Sequence, residues 1–144
     1  MLYDAIAPLL PGVQKPARYT GGEVNMVKKN PEEVRVRFAF CFPDTYEVGM
    51  SHLGMKILYA AMNQQPDMLC ERAFMPWVDM MELMKQENVL LFTLESRSPL
   101  SAFDVVGFTL QYEMSYSNIL AMLELGGIPL LRENRREEDP IVVA

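Results

Sequence analysis

The feature that most constrains the fold is the run VRVRFAFCF, Val34 to Phe42, together with the polar turn and the helix-like segment that follow it. The run alternates at first and is then apolar throughout, as in a strand that enters a sheet covered on both faces. Pro43-Asp44 breaks the run. The next segment predicts a helix with one apolar face, because its apolar residues recur at i, i+3, i+4 and i+7: Met55, Leu58, Tyr59 and Met62.

The same strand-and-helix unit recurs along the chain. Further strands are predicted at MLCERAFM, NVLLFTL, DVVGFTL and IPLL, and a sixth begins at PIVVA. Pro76 suits the first turn of one helix, Ser115 is predicted to cap another, and Gly126-Gly127 to end it. The pattern predicts an α/β fold with a doubly wound, mainly parallel Rossmann-like sheet of the flavodoxin-like type. We expect five or six strands, helices on both faces, the first strand near the centre, and the first and fourth strands most buried.

The chain divides into two parts by pattern. Residues 1–33 are predicted to be a lead-in, with a short helix over 2–10 and then a loop or hairpin that turns at Gly21-Gly22. Residues 34–144 are predicted to be the α/β domain. Because DPIVVA reads as a strand with no turn after it, we expect the chain to be a piece of a longer protein.

Composition excludes several classes of function. The chain has 144 residues, with 13 Lys and Arg against 19 Asp and Glu, and this acidic balance argues against nucleic-acid binding. No apolar run is long enough to span a membrane, and no signal peptide is recognisable. Cys41 and Cys70 lie in apolar segments, which predicts buried, reduced thiols in a cytoplasmic protein and no metal site.

Two polar and aromatic segments mark the candidate binding site. PDTYEVGMSH follows the first strand and QYEMSYSN follows the predicted fourth, and in such sheets ligands bind beyond the carboxyl ends of the strands. No dinucleotide or P-loop signature is present, and the single histidine has no evident nucleophile and acid partner, so no catalytic residue is predicted. The residues predicted to line a small-molecule site are Tyr46, Gly49, Ser51, His52, Gln111, Tyr112, Ser115, Ser117 and Asn118.

Each of these residues also has a purely structural interpretation. Ser51 and Ser115 are typical helix caps. His52 can pack or bond at the first turn of a helix, and the rings of Tyr112 and Tyr116 can cover the edge of the sheet. The residues themselves leave both interpretations open.

Five segments carry a family resemblance: KPARYTGGEVN, FCFPDTYEVGMSHLGMKILY, ERAFMPWVDM, LESRSPL and DVVGFTLQYEMSYSNIL. In this order, over nearly the whole chain, the sequence resembles the N-terminal part of large radical-SAM proteins, in which a cobalamin-binding-like domain precedes a radical-SAM barrel. The set is specific for the family, and none of its segments identifies a reaction. The resemblance implies that a 4Fe-4S cluster and S-adenosylmethionine belong to the downstream barrel, which would be this domain's partner. An isolated domain would expose apolar surface, so a homo-oligomer is a further expectation.

The resemblance also raises the question of cobalamin. Family domains that ligate cobalt use the histidine of D-x-H-x-x-G, whereas this chain reads Asp44-x-Tyr46-x-x-Gly49. The resemblance therefore implies either cobalamin held without a lower protein ligand or a scaffold that has lost the cofactor. The function it implies is an accessory domain that positions cobalamin or a substrate against the barrel of a radical-SAM enzyme and is not catalytic alone. The alternative is a ligand-free structural or protein-interaction domain.

Overall fold

The computed structural model describes residues 4–144, and within them four parallel strands form one sheet. The strands lie in the order β2-β1-β3-β4, and Phe38 of β1 aligns with Cys70 of β2 and Val105 of β3. The predicted parallel, Rossmann-like α/β fold is confirmed, with β1 inside the sheet, although the strands are four rather than five or six. They are β1 (Val36–Phe42), β2 (Met68–Phe74), β3 (Val105–Phe108) and β4 (Ile141–Val143).

The helices cover both faces of the sheet, as predicted. They are α1 (Tyr46–Met50), α2 (Leu53–Gln64), α3 (Val78–Gln86) and α4 (Tyr116–Leu125). Alternate residues of β1 enter two separate cores, because side chains along a strand point to opposite faces. One core contains Phe40, Phe42, Met55, Tyr59, Cys70, Phe74 and Leu94. The other contains Ala39, Cys41, Met80, Met84, Val106, Met122 and Leu123 among its members.

The backbone N–H and carbonyl groups on the outer edge of β2 have hydrogen-bond partners although no further strand pairs there. Asn63 bonds both the N–H and the carbonyl of Cys70, each at 3.0 Å. The Arg72 N–H donates to a carboxylate oxygen of Glu95 at 2.7 Å, and the Arg72 carbonyl accepts from the Leu94 N–H at 2.9 Å. A paired edge cannot recruit a further strand. For this reason the predicted strand NVLLFTL is wrong: the segment lies along β2 but forms only one isolated bridge, between Phe92 and Pro99.

The predicted strand IPLL is also wrong. Pro129 has no N–H, and its carbonyl and that of Leu130 accept from the Arg135 guanidinium at 2.9 and 3.0 Å. The segment leads into a 3-10 turn at Arg132–Asn134. The end of the preceding helix is as predicted, since Gly126 caps α4 and Gly127 has a φ of +71°.

Burial differs from the prediction at β2. Six of its seven residues are buried, whereas the first three of β1 are only half-buried. β2 lies at the end of the sheet order, but the segment 93–96 and the lead-in cover its free side. Val106 of β3 is fully buried, as expected.

Residues 4–33 form the lead-in and contain only 3-10 helices, at Ala7–Gly12, Pro16–Arg18 and Pro31–Glu33. Of the short helix predicted over 2–10, residues 2 and 3 lie outside the described residues, 4–6 are irregular, and from Ala7 the chain is a 3-10 helix rather than an α-helix. The turn at Gly21-Gly22 is confirmed, with φ of +65° and +87°. A Cβ at Gly21 would lie 2.8 Å from the Leu94 carbonyl oxygen, so the backbone approaches too closely for a side chain.

The lead-in then runs along the free side of β2, fixed mainly by side chains. At its start, the Tyr19 hydroxyl accepts from the Trp77 N–H at 3.0 Å. In the middle, the Val27 N–H donates to the Tyr59 hydroxyl at 2.8 Å. At its end, Lys29 Nζ donates to carbonyls at the amino end of β2, those of Gln65 and Met68.

Candidate functional site

The carboxyl edge of the sheet gathers the segments that follow β1, β2 and β3, because parallel strands all end on the same side. β1 lies between β2 and β3, so the connections leave it in opposite directions and create the switch point at which such sheets bind ligands. Across this point, Asn118 Nδ2 donates to the Pro43 carbonyl at 3.0 Å. The structure therefore joins the two predicted site segments through Asn118.

Tyr46 faces the lead-in. It begins α1, and its hydroxyl donates to Glu23 Oε1 at 2.8 Å. Its ring packs edge-on against Phe74 at 5.5 Å between centroids. Burial, together with the hydrogen bond to Glu23, raises the pKa of Tyr46 to about 12. The phenol is thus neutral at physiological pH and already has a partner.

Gly49 is buried in α1 against two aromatic rings. A Cβ there would lie 2.2 Å from Phe74 Cε1 and 3.1 Å from Phe42 Cγ. The absence of a side chain lets α1 lie directly on the ends of β1 and β2. The space beside Gly49 is filled by protein.

The cap of α2 is His52 and not Ser51, for which the sequence predicted that role. Ser51 ends α1, and its hydroxyl donates to the Glu47 carbonyl at 2.7 Å, so the prediction that it caps α2 is wrong. His52 is the N-cap, since its Nδ1 accepts from the Met55 N–H at 3.1 Å. An imidazole nitrogen can satisfy a free N–H at a helix start as a hydroxyl does. The His52 ring also packs on Phe42, 5.3 Å between centroids.

The second segment, Gln111 to Asn118, is mostly exposed. Gln111, Tyr112 and Ser117 are open to solvent, whereas Ser115 is buried. The Ser115 hydroxyl donates to the Tyr112 carbonyl at 2.7 Å and makes no cap bond with α4, so that predicted cap is wrong. A ligand role for the nine site residues stays a prediction.

A comparison with known protein families shows the family to which this chain belongs. The model of radical-SAM proteins, N-terminal, matches residues 54–144. The chain belongs to this family. No curated protein and no solved structure matched it. Within this radical-SAM N-terminal domain, the matched range includes Gln111 to Asn118 but begins after α1.

Sequence reasoning missed a deeply buried ion pair of this radical-SAM N-terminal domain, between Arg72 and Glu95. Arg72 has a side chain only 2% exposed, and its Nε lies 2.6 Å from Glu95 Oε1. Its Nη2 lies 3.2 Å from Glu23 Oε2, and its guanidinium stacks 4.3 Å from the centre of the Tyr59 ring. Burial alone would lower the pKa of Arg72, but attraction to the carboxylates outweighs burial and raises it. Since Glu23 also binds Tyr46, one network joins the lead-in, α1, α2, β2 and segment 93–96.

Glu71, the neighbour of Arg72, is also buried. Its Oε2 accepts from the hydroxyls of Thr93 and Ser96, the latter at 2.6 Å, and from the Ser96 N–H at 3.3 Å. The segment 93–96 therefore binds two successive residues of β2. The signal in the sequence was the pair Glu71-Arg72 inside an otherwise apolar strand, because buried charges need partners.

A cleft of about 950 Å³ lies between the lead-in and the end of α3. Arg97, which has a φ of +57°, pairs with Asp4 at this cleft. Ser96, Ser98 and Asn88 also line it.

Two further findings concern residues 4–144. In this part of the chain no group of three or more His, Cys, Asp or Glu side chains is placed to hold a metal ion. No helix there is both long and apolar enough to cross a membrane. Cys41 and Cys70 are buried free thiols, and burial raises the pKa of both.

Proposed function

We propose that this chain is an accessory domain that packs against the radical-SAM catalytic domain of its own polypeptide and works by protein contact, without a cofactor of its own. Family membership supports the accessory position. The observation that carries the proposal is the state of α1, where Tyr46 is bonded to Glu23 and Gly49 is packed on Phe74. This proposal adopts the ligand-free alternative that the sequence left open.

The contacts of α1 fit cobalamin poorly. A corrin ring would need open space at Tyr46 and Gly49, but Phe74 and Phe42 occupy the space beside Gly49 and the Tyr46 phenol turns to the lead-in. His52 is the only histidine, and its Nδ1 is engaged with the Met55 N–H. These contacts support a domain that acts as a platform. The iron–sulfur cluster and S-adenosylmethionine would belong to the catalytic domain.

Titration of the full-length protein with hydroxocobalamin tests this proposal. We expect no change in the visible spectrum of the cobalamin and no cobalamin retained after gel filtration. Retention of about one cobalamin per chain would overturn the proposal and favour a cobalamin-positioning domain. If cobalamin is retained, Asn118→Leu shows whether it binds at the switch point, and Asn134→Leu, at an exposed turn, is the matched control.

A Gly49→Leu variant is unsuitable for this purpose. A Cβ at Gly49 would collide with the Phe74 ring, so loss of binding in that variant would report damage to the fold. Tyr46→Phe is a suitable variant for the cobalamin titration, because it keeps the ring contact with Phe74 and removes only the hydroxyl. A cobalamin site would be little affected by that change, since a neutral phenol is a poor cobalt ligand.

A further inference from the structure

The cleft beside α3 is large enough to hold a small molecule, and three segments of the chain form its walls. Its volume is about 950 Å³, at the upper end of the range of roughly 300–1,000 Å³ that is typical of small-molecule sites. The lead-in forms one wall, the carboxyl end of α3 the second, and segment 96–99 the third. The apolar side chains of the lining include Pro8, Leu9, Leu83, Val89, Leu90 and Phe92.

The cleft lies away from the switch point. Because α3 belongs to the crossover between the parallel strands β2 and β3, it runs from the carboxyl edge of the sheet back toward the amino edge. In agreement with this direction, Ser98 of the cleft contacts Arg37, the second residue of β1. A ligand in the cleft would leave the carboxyl edge free, so a site here goes beyond the proposed function and does not depend on it.

The polar wall of the cleft presents a hydrogen-bond acceptor, Ser98 Oγ. The buried Glu71 carboxylate accepts the Ser96 hydroxyl at 2.6 Å, and this bond uses the only proton of that hydroxyl. The hydroxyl oxygens of Ser96 and Ser98 lie 2.7 Å apart, so Ser98 must supply the proton between them. With its own proton used, Ser98 Oγ can only accept, and Arg37 Nη2 at 3.4 Å occupies one of its two lone pairs.

The same chain of hydrogen bonds makes Ser98 Oγ a better acceptor. Successive hydrogen bonds polarise one another, and the row that starts at Ser98 ends on the Glu71 carboxylate. Electron density on Ser98 Oγ is therefore raised. A ligand group that donates hydrogen bonds and carries positive charge fits this position best.

The charges of the cleft also favour a cation. Asp4 and Glu87 are the acidic side chains of the described lining and Arg97 is the basic one, and Arg97 is paired with Asp4. Glu87 is exposed and forms the C-cap of α3, where the carbonyl groups of the helix end add partial negative charge. Lys85, in the last turn of α3, is exposed and is not part of the described lining.

We propose that this cleft binds a small organic amine. The apolar body of the amine lies between the lead-in and α3, and its protonated amino group donates to Ser98 Oγ near the Glu87 carboxylate. An ammonium group has donors and no acceptor, which matches an acceptor-only wall. Contact with both walls would also fasten the lead-in to α3.

Three probes of similar size test the class of ligand in the full-length protein. 2-Phenylethylamine, 2-phenylethanol and phenylacetate share an aromatic ring and differ in the polar group, and saturation-transfer difference NMR titrations give their affinities. We expect the amine to bind at least fivefold more tightly than the alcohol, and phenylacetate to bind most weakly. Tightest binding of phenylacetate would indicate an anion site at Arg97 and overturn the proposal. Equal binding of amine and alcohol, or no binding of the amine, would overturn it as well.

Two alanines of the lead-in provide a matched pair that locates the binding. Ala5 lines the cleft, whereas Ala7 is exposed nearby and is not part of the described lining. We expect Ala5→Phe to weaken 2-phenylethylamine binding at least fivefold and Ala7→Phe to leave it unchanged, with thermal unfolding showing that both variants keep the fold. Equal affinity in the two variants would place the amine elsewhere and overturn the proposal.

Two further substitutions separate the charge from the acceptor. Glu87→Gln should reduce the preference for the amine over the alcohol at least threefold, whereas Glu82→Gln, at an exposed position of α3 outside the described lining, should preserve it. Ser98→Ala should weaken the amine and the alcohol alike, because both donate to the same oxygen. Unchanged affinities in Glu87→Gln and Ser98→Ala would overturn the assigned binding mode.

Discussion

One carboxylate, that of Glu95, binds both the side chain and the backbone of Arg72. Its Oε1 lies 2.6 Å from Arg72 Nε, and its Oε2 accepts the Arg72 N–H at 2.7 Å. The same group therefore neutralises a buried charge and satisfies the edge of β2. Removing it would take the acceptor from the Arg72 N–H and leave the buried guanidinium with the more distant Glu23 carboxylate, 3.2 Å away, as its ion-pair partner.

Glu95→Ala is expected to destabilise the domain strongly. Breaking a buried ion pair by removing one partner costs about 3–5 kcal/mol, because the other charge stays buried. We expect a loss of that size in the free energy of unfolding, measured by urea denaturation. Glu138→Ala, which removes the partner of Arg136 in an exposed pair, is the control and should change little. A loss below about 1 kcal/mol for Glu95→Ala would contradict the buried pair.

Gly49→Ala is expected to be destabilising although alanine favours helices. The new methyl group would overlap the Phe74 ring, and overpacking of this kind costs about 1–3 kcal/mol. Gly54→Ala in α2 is the matched control, since the nearest atom to its Cβ belongs to the movable His52 ring, 2.9 Å away. Thermal unfolding compares the two. A Gly49→Ala protein as stable as Gly54→Ala would show that α1 does not pack on Phe74 as described.

The raised pKa of Tyr46 leads us to expect a loss of stability at alkaline pH. Its pKa is about 12 in the fold against about 10 in the unfolded chain, so above pH 10 the unfolded chain loses this proton first. Stability from this residue is thus present below pH 10 and is lost between about pH 10 and 12. Between pH 8 and 11.5, the free energy of unfolding should fall less steeply with pH in Tyr46→Phe than in the wild type. The comparison with Tyr46→Phe is needed because burial, as the largest cause, also raises the pKa of Tyr59 and the pKa of Tyr19. Identical slopes would argue against the Tyr46–Glu23 bond.

Glu23→Gln should loosen the lead-in while leaving the sheet folded. The amide keeps the shape of the carboxylate but loses its charge toward Arg72, 3.2 Å away. We expect trypsin to cut after Arg18 and Lys28 several-fold faster, read by mass spectrometry. Glu32→Gln, at an exposed position of the same segment, should leave cleavage unchanged. If both variants are cut at the wild-type rate, Glu23 does not fasten the lead-in.

The sequence predicted the parts of the fold that depend on apolar periodicity. The runs around Phe40, Leu69 and Val106 became parallel strands, because continuous apolar runs can be satisfied only inside a covered sheet. The run ending at Leu94 was predicted to be a strand and is not one, because hydrogen bonding rather than hydrophobicity decides which strands pair. Glu95 had already taken the Arg72 N–H that a strand carbonyl would accept.

The candidate site was less predictable than the fold. Position along the chain placed Tyr46 and Asn118 at one edge, since parallel strands end together. It did not reveal that Tyr46 would turn to Glu23, 23 residues earlier, because that contact depends on where the irregular lead-in lies. His52 replaced Ser51 as the cap, a choice between two neighbouring acceptors that periodicity does not resolve.

The position of the lead-in along β2 has a consequence for synthesis. The ribosome releases Tyr19 to Lys29 first, but their partners Tyr59 and Arg72 emerge later, and Arg72 itself waits for Glu95. At about 5–20 residues per second, this early segment stays without its partners for several seconds. Its irregular, polar composition suits that interval, because an early segment with strand character could pair with the wrong edge before the correct one exists.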